Sequence, residues 1–338
     1  MPADHDRLPQ PTVGPAVVAF VAGTGRSGST LVSNVMGQLP GCLSVGEGRY
    51  TWGRGVAGNH LCGCGVPFAD CPFWNGVMAD VRAGRPSLDA AGIAERIDAR
   101  LRVRLVPAME LNRVLGRPEV PPHPDDPTIA DLYHALAARP GAERAVVDSS
   151  KLPPYARLLD GLPGVEVFLV HVVRDPRATA FSWRRAKATR DDADAARMPR
   201  LSIVRSSVIW LLWNLMVQRW WPDSRRMTVR YEDFVEDPAR ELGRIAEALG
   251  TTVPEGLLDG AALHLAPTHS VAGNPDRLDA GAVRVRRDDE WRSAMPAPHR
   301  WVVTALCAPG LRRFGYRVRG LESPRSSQPT APATGPVS

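Results

Sequence analysis

The sequence predicts an α/β fold, a mainly parallel sheet flanked by helices on both faces, with helical insertions between the sheet elements. Three stretches carry that prediction. VVAFVAG at Val17–Gly23 and VEVFLVHVV at Val165–Val173 are short, apolar, β-branched runs of the kind that fill strands covered on both sides. The first is followed by a glycine-rich turn and an apolar pattern of helical period; the second by Arg174-Asp-Pro, where Asp175 can cap a helix and Pro176 can occupy its first position. Between them, Arg144–Lys151 (RAVVDSSK) reads as a third strand with its polar end at Asp148–Lys151.

The length of 338 residues suits one large domain with insertions, and 44% hydrophobic residues supply a sizeable core. Residues 1–14 (MPADHDRLPQPTVG) read as a flexible lead, 15–319 as the domain and 320–338 as a disordered Pro/Ser/Thr tail. The net charge of +6 is arginine-dominated, with Lys151 and Lys187 as the only lysines. It suits an anionic ligand, since the guanidinium fork matches phosphate. No basic stripe interleaved with aromatics runs through the chain, so nucleic acid is not expected as a partner. No apolar run reaches the ~18 residues of a membrane span, and the polar, proline-rich N-terminus is unlike a signal peptide. A cytoplasmic enzyme is therefore expected. Five cysteines, Cys42, Cys62, Cys64, Cys71 and Cys307, do not describe a secreted disulfide framework.

Taken in order, Val17–Ala22 is the first strand and Ser29–Leu39 the first helix, with Leu31, Val32, Val35, Met36 and Leu39 at helical spacing. The turn between them, Gly23-Thr-Gly25-Arg26-Ser27-Gly28-Ser29-Thr30, has the two-glycine spacing of a Walker A loop. Ser29 stands where the Walker lysine would, and Arg26 is the loop's cation. Glycines, inward N–H groups and a helix N-terminus together cradle an anion, so Gly25–Thr30 is expected to bind a phosphate or sulfate group. Gly41–Val45 reads as a second short strand that delivers Gly46-Glu47 to the sheet edge where open α/β sheets bind ligands.

Leu61–Trp74 (LCGCGVPFADCPFW) places three cysteines within ten residues. Cys-x-Cys-x6-Cys is not a standard zinc spacing, and only His60 lies close enough in sequence to complete a set. A compact loop packed by Phe68, Phe73 and Trp74 with reduced thiols is the simpler reading, and no metal is expected. Ser87–Gly116 reads as one helix, with its stripe on Leu88, Ile93, Ile97, Leu101, Leu105 and Met109. Thr128–Ala138 reads as another, capped by Thr128 or Asp126. Past the Val165–Val173 strand, Arg174 and Ser182 form a cation–hydroxyl pair suited to a phosphate dianion, with Arg184 or Arg185 adding charge; His171 reads as a core strand residue. Arg190–Arg200 reads as a charged, Ala- and Asp-rich loop, a candidate mobile lid. Leu201–Trp221 reads as a Trp-rich helix, Met227–Tyr231 as the last core strand, and Asp237-Pro238 as the start of a helix ending at Gly250.

With RSGST at Arg26–Thr30 and Arg174 eight residues before Ser182, the chain resembles the sulfotransferases that use 3′-phosphoadenosine 5′-phosphosulfate (PAPS), most of all their bacterial and tyrosylprotein branch. The islands of resemblance span Ala16–Arg319. The resemblance implies a P-loop-like sheet and transfer of a sulfonate to an acceptor hydroxyl or amine without a metal. It implies the following roles: Gly25, Arg26, Ser27, Gly28, Ser29 and Thr30 around the 5′-phosphosulfate; Arg174 and Ser182 on the 3′-phosphate; Tyr231, in YED, near the nucleotide; and Ser270, Gly273, Asn274 and Arg284 in a closing loop. Glu47 matches the general base by order and spacing, with His269 as a competing base, and Lys151 matches the cation at the transferring sulfonate. Arg26 joins Lys151 and Glu47 in the catalytic set. The acceptor class stays open among small molecules, glycans, lipids and peptides. A small-molecule kinase on the same scaffold and a non-catalytic adenosine-bisphosphate-binding protein are the alternatives.

Overall fold

The computed structural model describes residues 14–85, 87–185, 200–260 and 262–318. The expected lead before Gly14, the tail at 320–338 and all but Arg200 of the 190–200 loop lie outside the described residues.

Five parallel strands form the central sheet in the order β2-β3-β1-β4-β5. They are β1 (Ala16–Gly23), β2 (Cys42–Gly46), β3 (Ala145–Lys151), β4 (Val165–Val173) and β5 (Arg226–Arg230). In register, Val18 of β1 lies between Val146 of β3 and Val167 of β4. Successive side chains point to opposite faces, and two cores follow from that alternation. Val18, Phe20, Val146, Val167 and Leu169 bury into one face; Ala19, Val21, Val147, Val170 and Val172 bury into the other. Each such side chain is essentially inaccessible, and burying a Val, Leu or Phe contributes about 1.5–3 kcal/mol.

The helices α1 (Ser29–Met36) and α2 (Pro72–Ala83) come first, followed by α3 (Ala90–Arg100), α4 (Val106–Val114), α5 (Asp126–Ala137), α6 (Pro153–Asp160), α7 (Pro176–Arg184) and α8 (Ile203–Trp220). After β5 follow α9 (Tyr231–Glu236), α10 (Pro238–Ala248), α11 (Trp291–Ala294) and α12 (Ala297–Arg313). The caps expected from sequence form: Asp175 accepts from the Arg177 N–H at 2.8 Å at the start of α7, and Asp237 from the Arg240 N–H at 3.0 Å at the start of α10.

Six features differ from the sequence reading. The Ser87–Gly116 helix is two helices, α3 and α4, joined by a 3-10 turn at Val103–Leu105. Pro107 lacks the N–H that a continuous helix would need and so starts α4 instead. The cysteine stretch is only partly loop, because Pro72 starts α2 within it. Helix α1 ends at Met36, and α5 begins at Asp126 with Asp125 in the cap position. The closing region contributes a second, antiparallel sheet, β6 (Leu258–Asp259), β7 (Ala262–Leu265) and β8 (Gly281–Arg284). Helix α12 has no counterpart in the sequence reading; it packs on α7 and α8 through Val303, Cys307 and Leu311.

The edge of β2 is covered by the segment before β8: the Val271 N–H donates to the Val45 carbonyl at 2.9 Å, and the Glu47 N–H to the Ala272 carbonyl at 3.1 Å. That covering places the closing segment against the C-terminal end of the sheet. Among the described residues, no helix is long and apolar enough to cross a membrane.

Candidate active site

The C-terminal ends of β1, β3 and β4 are adjacent because β1 sits between the other two. Each ends in a residue or turn that the sequence had singled out. After β1, the chain enters the Gly23–Ser29 turn with Arg26 at φ 69° and Gly28 at φ 87°. A Cβ at Gly28 would lie 2.2 Å from the Tyr231 ring, so only glycine permits both the backbone conformation and the packing. Gly28 leads directly into α1, whose first turn carries no acidic side chain. That leaves the helix N-terminus electropositive. The Arg26 guanidinium lies 5.3 Å from the Trp183 ring centre, and the Trp183 indole N–H donates to the Gly25 carbonyl at 3.1 Å. Burial lowers the Arg26 pKa, with Asp276 acting in the opposite sense.

Strand β3 ends at Lys151, itself at φ 70°, an uncommon conformation for a lysine. Its Nζ pairs with Glu47 Oε1, and both side chains are mostly buried. The two come from neighbouring strands: Gly46 turns at φ 69° to present Glu47. Asp148, fully buried, ties these two strand ends together. It accepts from the Ser150 N–H at 2.7 Å, the Gly48 N–H at 3.3 Å and the Tyr133 hydroxyl at 2.5 Å. Burial raises its pKa, while those hydrogen bonds act to lower it.

Strand β4 ends at Arg174. Its Nη1 donates to the Arg26 carbonyl at 3.1 Å and its Nη2 to Asp288 Oδ2 at 3.0 Å, and the guanidinium sits 4.6 Å from the Tyr231 ring centre. The two anion cradles are therefore joined by a single hydrogen bond. Arg185 also reaches Asp288 at 2.7 Å, whereas Arg184 turns to His299, which decides between the two arginines. Burial pushes the Asp288 pKa up, but Arg174 and Arg185 outweigh it, and the net shift is downward.

A cavity of about 820 Å³ runs along this edge. Of the sequence-derived candidates it is lined by Gly25, Arg26, Gly28, Ser29, Thr30, Glu47, Lys151, Arg174, Ser182, Tyr231, Gly273, Asn274 and Arg284. Two candidates stand apart from it. Ser27 is fully buried with its hydroxyl on the Thr24 carbonyl at 2.8 Å. Ser270 is fully buried beneath Arg277, which donates to its carbonyl at 2.9 Å. Neither side chain lines the cavity, while their loop neighbours Arg26, Gly28, Gly273 and Asn274 do. His269 also lies away from the cavity lining, with its ring stacked on Phe73 at 4.4 Å. His171 is a buried core residue as expected, bonded to Asn214 at 2.8 Å, and burial pushes its pKa down to about 4.

Sequence reasoning missed Trp183, Asp288 and Asp148. The first follows Ser182 and could have been read as facing the same side. Asp288 gains its place from Arg174, 114 residues away, and Asp148 links its nearer partners Ser150 and Tyr133 to Gly48, 100 residues away. Seven Arg and Lys side chains against four Asp and Glu line the cavity, among the described residues, so its field favours an anion.

A family model described as the sulfotransferase family matches residues 19–255. Carbohydrate sulfotransferase 3 of Homo sapiens is 28% identical over 172 residues, covering 46% of this chain and 35% of the relative, so the match spans about a third of that protein's length. Among solved structures, the chain is similar to the sulfotransferase domain of the Synechococcus PCC 7002 olefin synthase, with 19% identity, 92% and 99% of the two chains covered and a TM-score of 0.49. It is also similar to the sulfotransferase STF9 from Mycobacterium avium, with 15% identity, 91% and 78% coverage and a TM-score of 0.41. The matched span opens inside β1 and closes beyond β5, and so takes in the Arg26–Thr30 turn, the Glu47–Lys151 pair and Arg174: the chain belongs to the sulfotransferase family.

Proposed function

We propose that the protein transfers a sulfonate group from PAPS to an acceptor hydroxyl or amine, with the nucleotide held along the C-terminal edge of the central sheet. The observation that carries this reading is one cavity lined by both anion cradles and by the Glu47–Lys151 pair. Its volume of about 820 Å³ is in the range of ligand sites that enclose a nucleotide-sized molecule. The donor set fits the group. The Gly25–Thr30 turn offers backbone N–H groups and a helix N-terminus to the 5′-phosphosulfate. Arg174 and Ser182 offer a fork and a hydroxyl to the 3′-phosphate, and the Tyr231 ring, Gly273, Asn274 and Arg284 close on the nucleotide.

Bound there, PAPS supplies the sulfonate, and adenosine 3′,5′-bisphosphate is the leaving group. Glu47 accepts the proton of the acceptor nucleophile, its backbone being tied to the closing segment by the Glu47 N–H to Ala272 bond and its carboxylate paired with Lys151. Lys151 and Arg26 face the oxygens on which negative charge grows as the bond to sulfur breaks, so they stabilise the transition state more than the ground state. The Lys151–Glu47 ion pair holds the carboxylate and the ammonium side by side at the sheet edge. Asp148 fixes both strand ends, which keeps the base and the cation in one geometry.

Calorimetric titration of adenosine 3′,5′-bisphosphate against ATP–magnesium tests the nucleotide. The bisphosphate is expected to bind more tightly; tighter ATP–magnesium binding would move the protein to the kinase alternative. Labelled PAPS offered with panels of phenols, sugars, lipids and peptides tests turnover. No transfer to any of them, with the bisphosphate still bound, would favour a non-catalytic nucleotide-binding protein.

A further inference from the structure

The three cysteines of the 61–74 stretch meet a histidine from the closing segment. Cys64 Sγ lies 3.7 Å from Cys71 Sγ, and His269 Nδ1 lies 3.4 Å from Cys71 Sγ and 3.7 Å from Cys62 Sγ. All four ligand atoms fall within 4.8 Å of one another, and the cysteines are free thiols. A tetrahedral zinc ion with Zn–S near 2.3 Å and Zn–N near 2.0–2.1 Å has S···S edges of about 3.8 Å and S···N edges of about 3.6 Å. The three distances of 3.4–3.7 Å are close to those edges, and the other three stay within 4.8 Å. His60, the ligand the local sequence suggested, is not in it.

The surrounding structure holds the four groups in place. Cys62 and Cys64 sit in a tight turn in which the Cys62 N–H donates to the Val66 carbonyl at 2.8 Å and the Gly65 N–H to the Cys62 carbonyl at 2.9 Å. Cys71 occupies the cap position of α2, and its N–H donates to the Phe68 carbonyl at 3.3 Å. The Trp74 indole N–H donates to the His269 carbonyl at 2.9 Å, and Phe73 stacks flat on the imidazole. A disulfide can join only two of the three sulfurs; it would leave one thiol and the imidazole with no role, although all four atoms converge on one point.

We propose that Cys62, Cys64, Cys71 and His269 form a structural zinc site that fastens the cysteine loop to the closing segment. Four protein ligands leave no open coordination position, so the ion's role is mechanical. Its span matters to the site beside it. The Gly63 N–H donates to the Ser270 carbonyl at 2.8 Å, and Arg277 Nη2 to the Leu61 carbonyl at 2.8 Å. From the same segment Val271 and Ala272 bond to Val45 and Glu47. Fastening His269 therefore fixes the strand that positions Glu47.

The full chain, purified without chelator and dialysed against Zn(II), is expected to carry about one zinc per chain by mass spectrometry, as one tetrahedral four-ligand set requires. Co(II) in its place should give thiolate-to-cobalt charge-transfer bands. Cys64→Ser and His269→Ala should each weaken zinc by more than about 100-fold, since loss of a mere partner of a ligand already costs ~10–100-fold. His60→Ala should keep full stoichiometry. Should the variants fail to fold, chelation of the wild-type chain serves instead, and hydrogen exchange should then quicken in 61–74 and 268–277 but not in β1. A wild-type chain that takes up no zinc, cobalt without charge-transfer bands, zinc retained by His269→Ala, or a Cys64–Cys71 disulfide in the dialysed protein would each overturn the proposal.

Discussion

Arg174→Ala separates the two anion cradles. In the free protein the Arg174 side chain is only 7% exposed and divides its fork between the Arg26 carbonyl at 3.1 Å and Asp288 at 3.0 Å. A 3′-phosphate would compete with Asp288 for that fork. Two charge-assisted hydrogen bonds contribute about 1.5–3 kcal/mol each, and giving up the Asp288 bond removes about one of them, so the net should be ~1.5–3 kcal/mol. At about 1.4 kcal/mol per tenfold, adenosine 3′,5′-bisphosphate should bind ~10–150-fold more weakly to Arg174→Ala. Adenosine 5′-phosphate, which lacks the 3′ group, should bind the variant and the wild type alike. Calorimetry with both ligands on both proteins closes a cycle that isolates the contact. Asp288 keeps Arg185 at 2.7 Å, so its charge is not stranded by the substitution. Equal weakening of both nucleotides would refute the reasoning: Arg174 would then serve only to hold the Arg26 loop through its carbonyl.

Glu47→Gln should slow sulfonate transfer about 10²–10⁴-fold, the usual scale of a lost general base, while leaving bisphosphate affinity unchanged; an unaltered rate in a single-turnover assay would remove Glu47 from the base role. Gly28→Ala places a Cβ at φ 87° and 2.2 Å from the Tyr231 ring, so urea unfolding should show a loss of at least the ~1–2 kcal/mol that a left-handed alanine costs, together with weaker nucleotide binding. Wild-type stability there would mean that the turn relaxes freely. His171 is fully buried with its pKa pushed down to about 4, below the unfolded value near 6.5. Between those values the unfolded chain binds the extra proton, so stability falls as pH drops from about 6.5 to about 4, by ~3 kcal/mol in all. Urea unfolding of wild type and His171→Gln across that range should differ by this slope, and parallel curves would contradict it.

What the sequence made legible was local. Val165–Val173 followed by Asp175-Pro176 forms the strand and helix start that its apolar run and cap predict. The RSGST turn is read from five consecutive residues. What it hid depends on partners distant in the chain. Glu47 and Lys151 are 104 residues apart, Arg174 and Asp288 114, and Cys62 and His269 207. Apolar spacing alone suggested one helix across Pro107 because Leu101, Leu105 and Met109 keep the period, yet the missing N–H decides the break. The resemblance implies Ser270 together with Gly273 and Asn274, yet its side chain is buried under Arg277, seven residues on, a contact that no local pattern shows.

Strand order explains why these pieces can form one site. The chain leaves β1, skips a position to β2, returns through β3, and only then crosses to β4 on the other side of β1. The reversal opens a crevice at the carboxyl ends of the strands, the usual ligand position in open α/β sheets. Along that edge the order is Arg174, the Arg26–Thr30 turn, Lys151 and Glu47, one from each successive strand. Strands about 4.8 Å apart set the spacing between them. In the proposed mode the 3′-phosphate lies over β4, the 5′-phosphosulfate over β1, the transferred group over β3 and the acceptor over β2. The acceptor must then enter past Tyr50, Arg54 and Leu152, which line the cavity at the β2–β3 end. Arg54→Ala should therefore change the acceptor KM and leave bisphosphate affinity alone. A change in the nucleotide affinity instead would reverse the direction in which the reaction runs along the sheet.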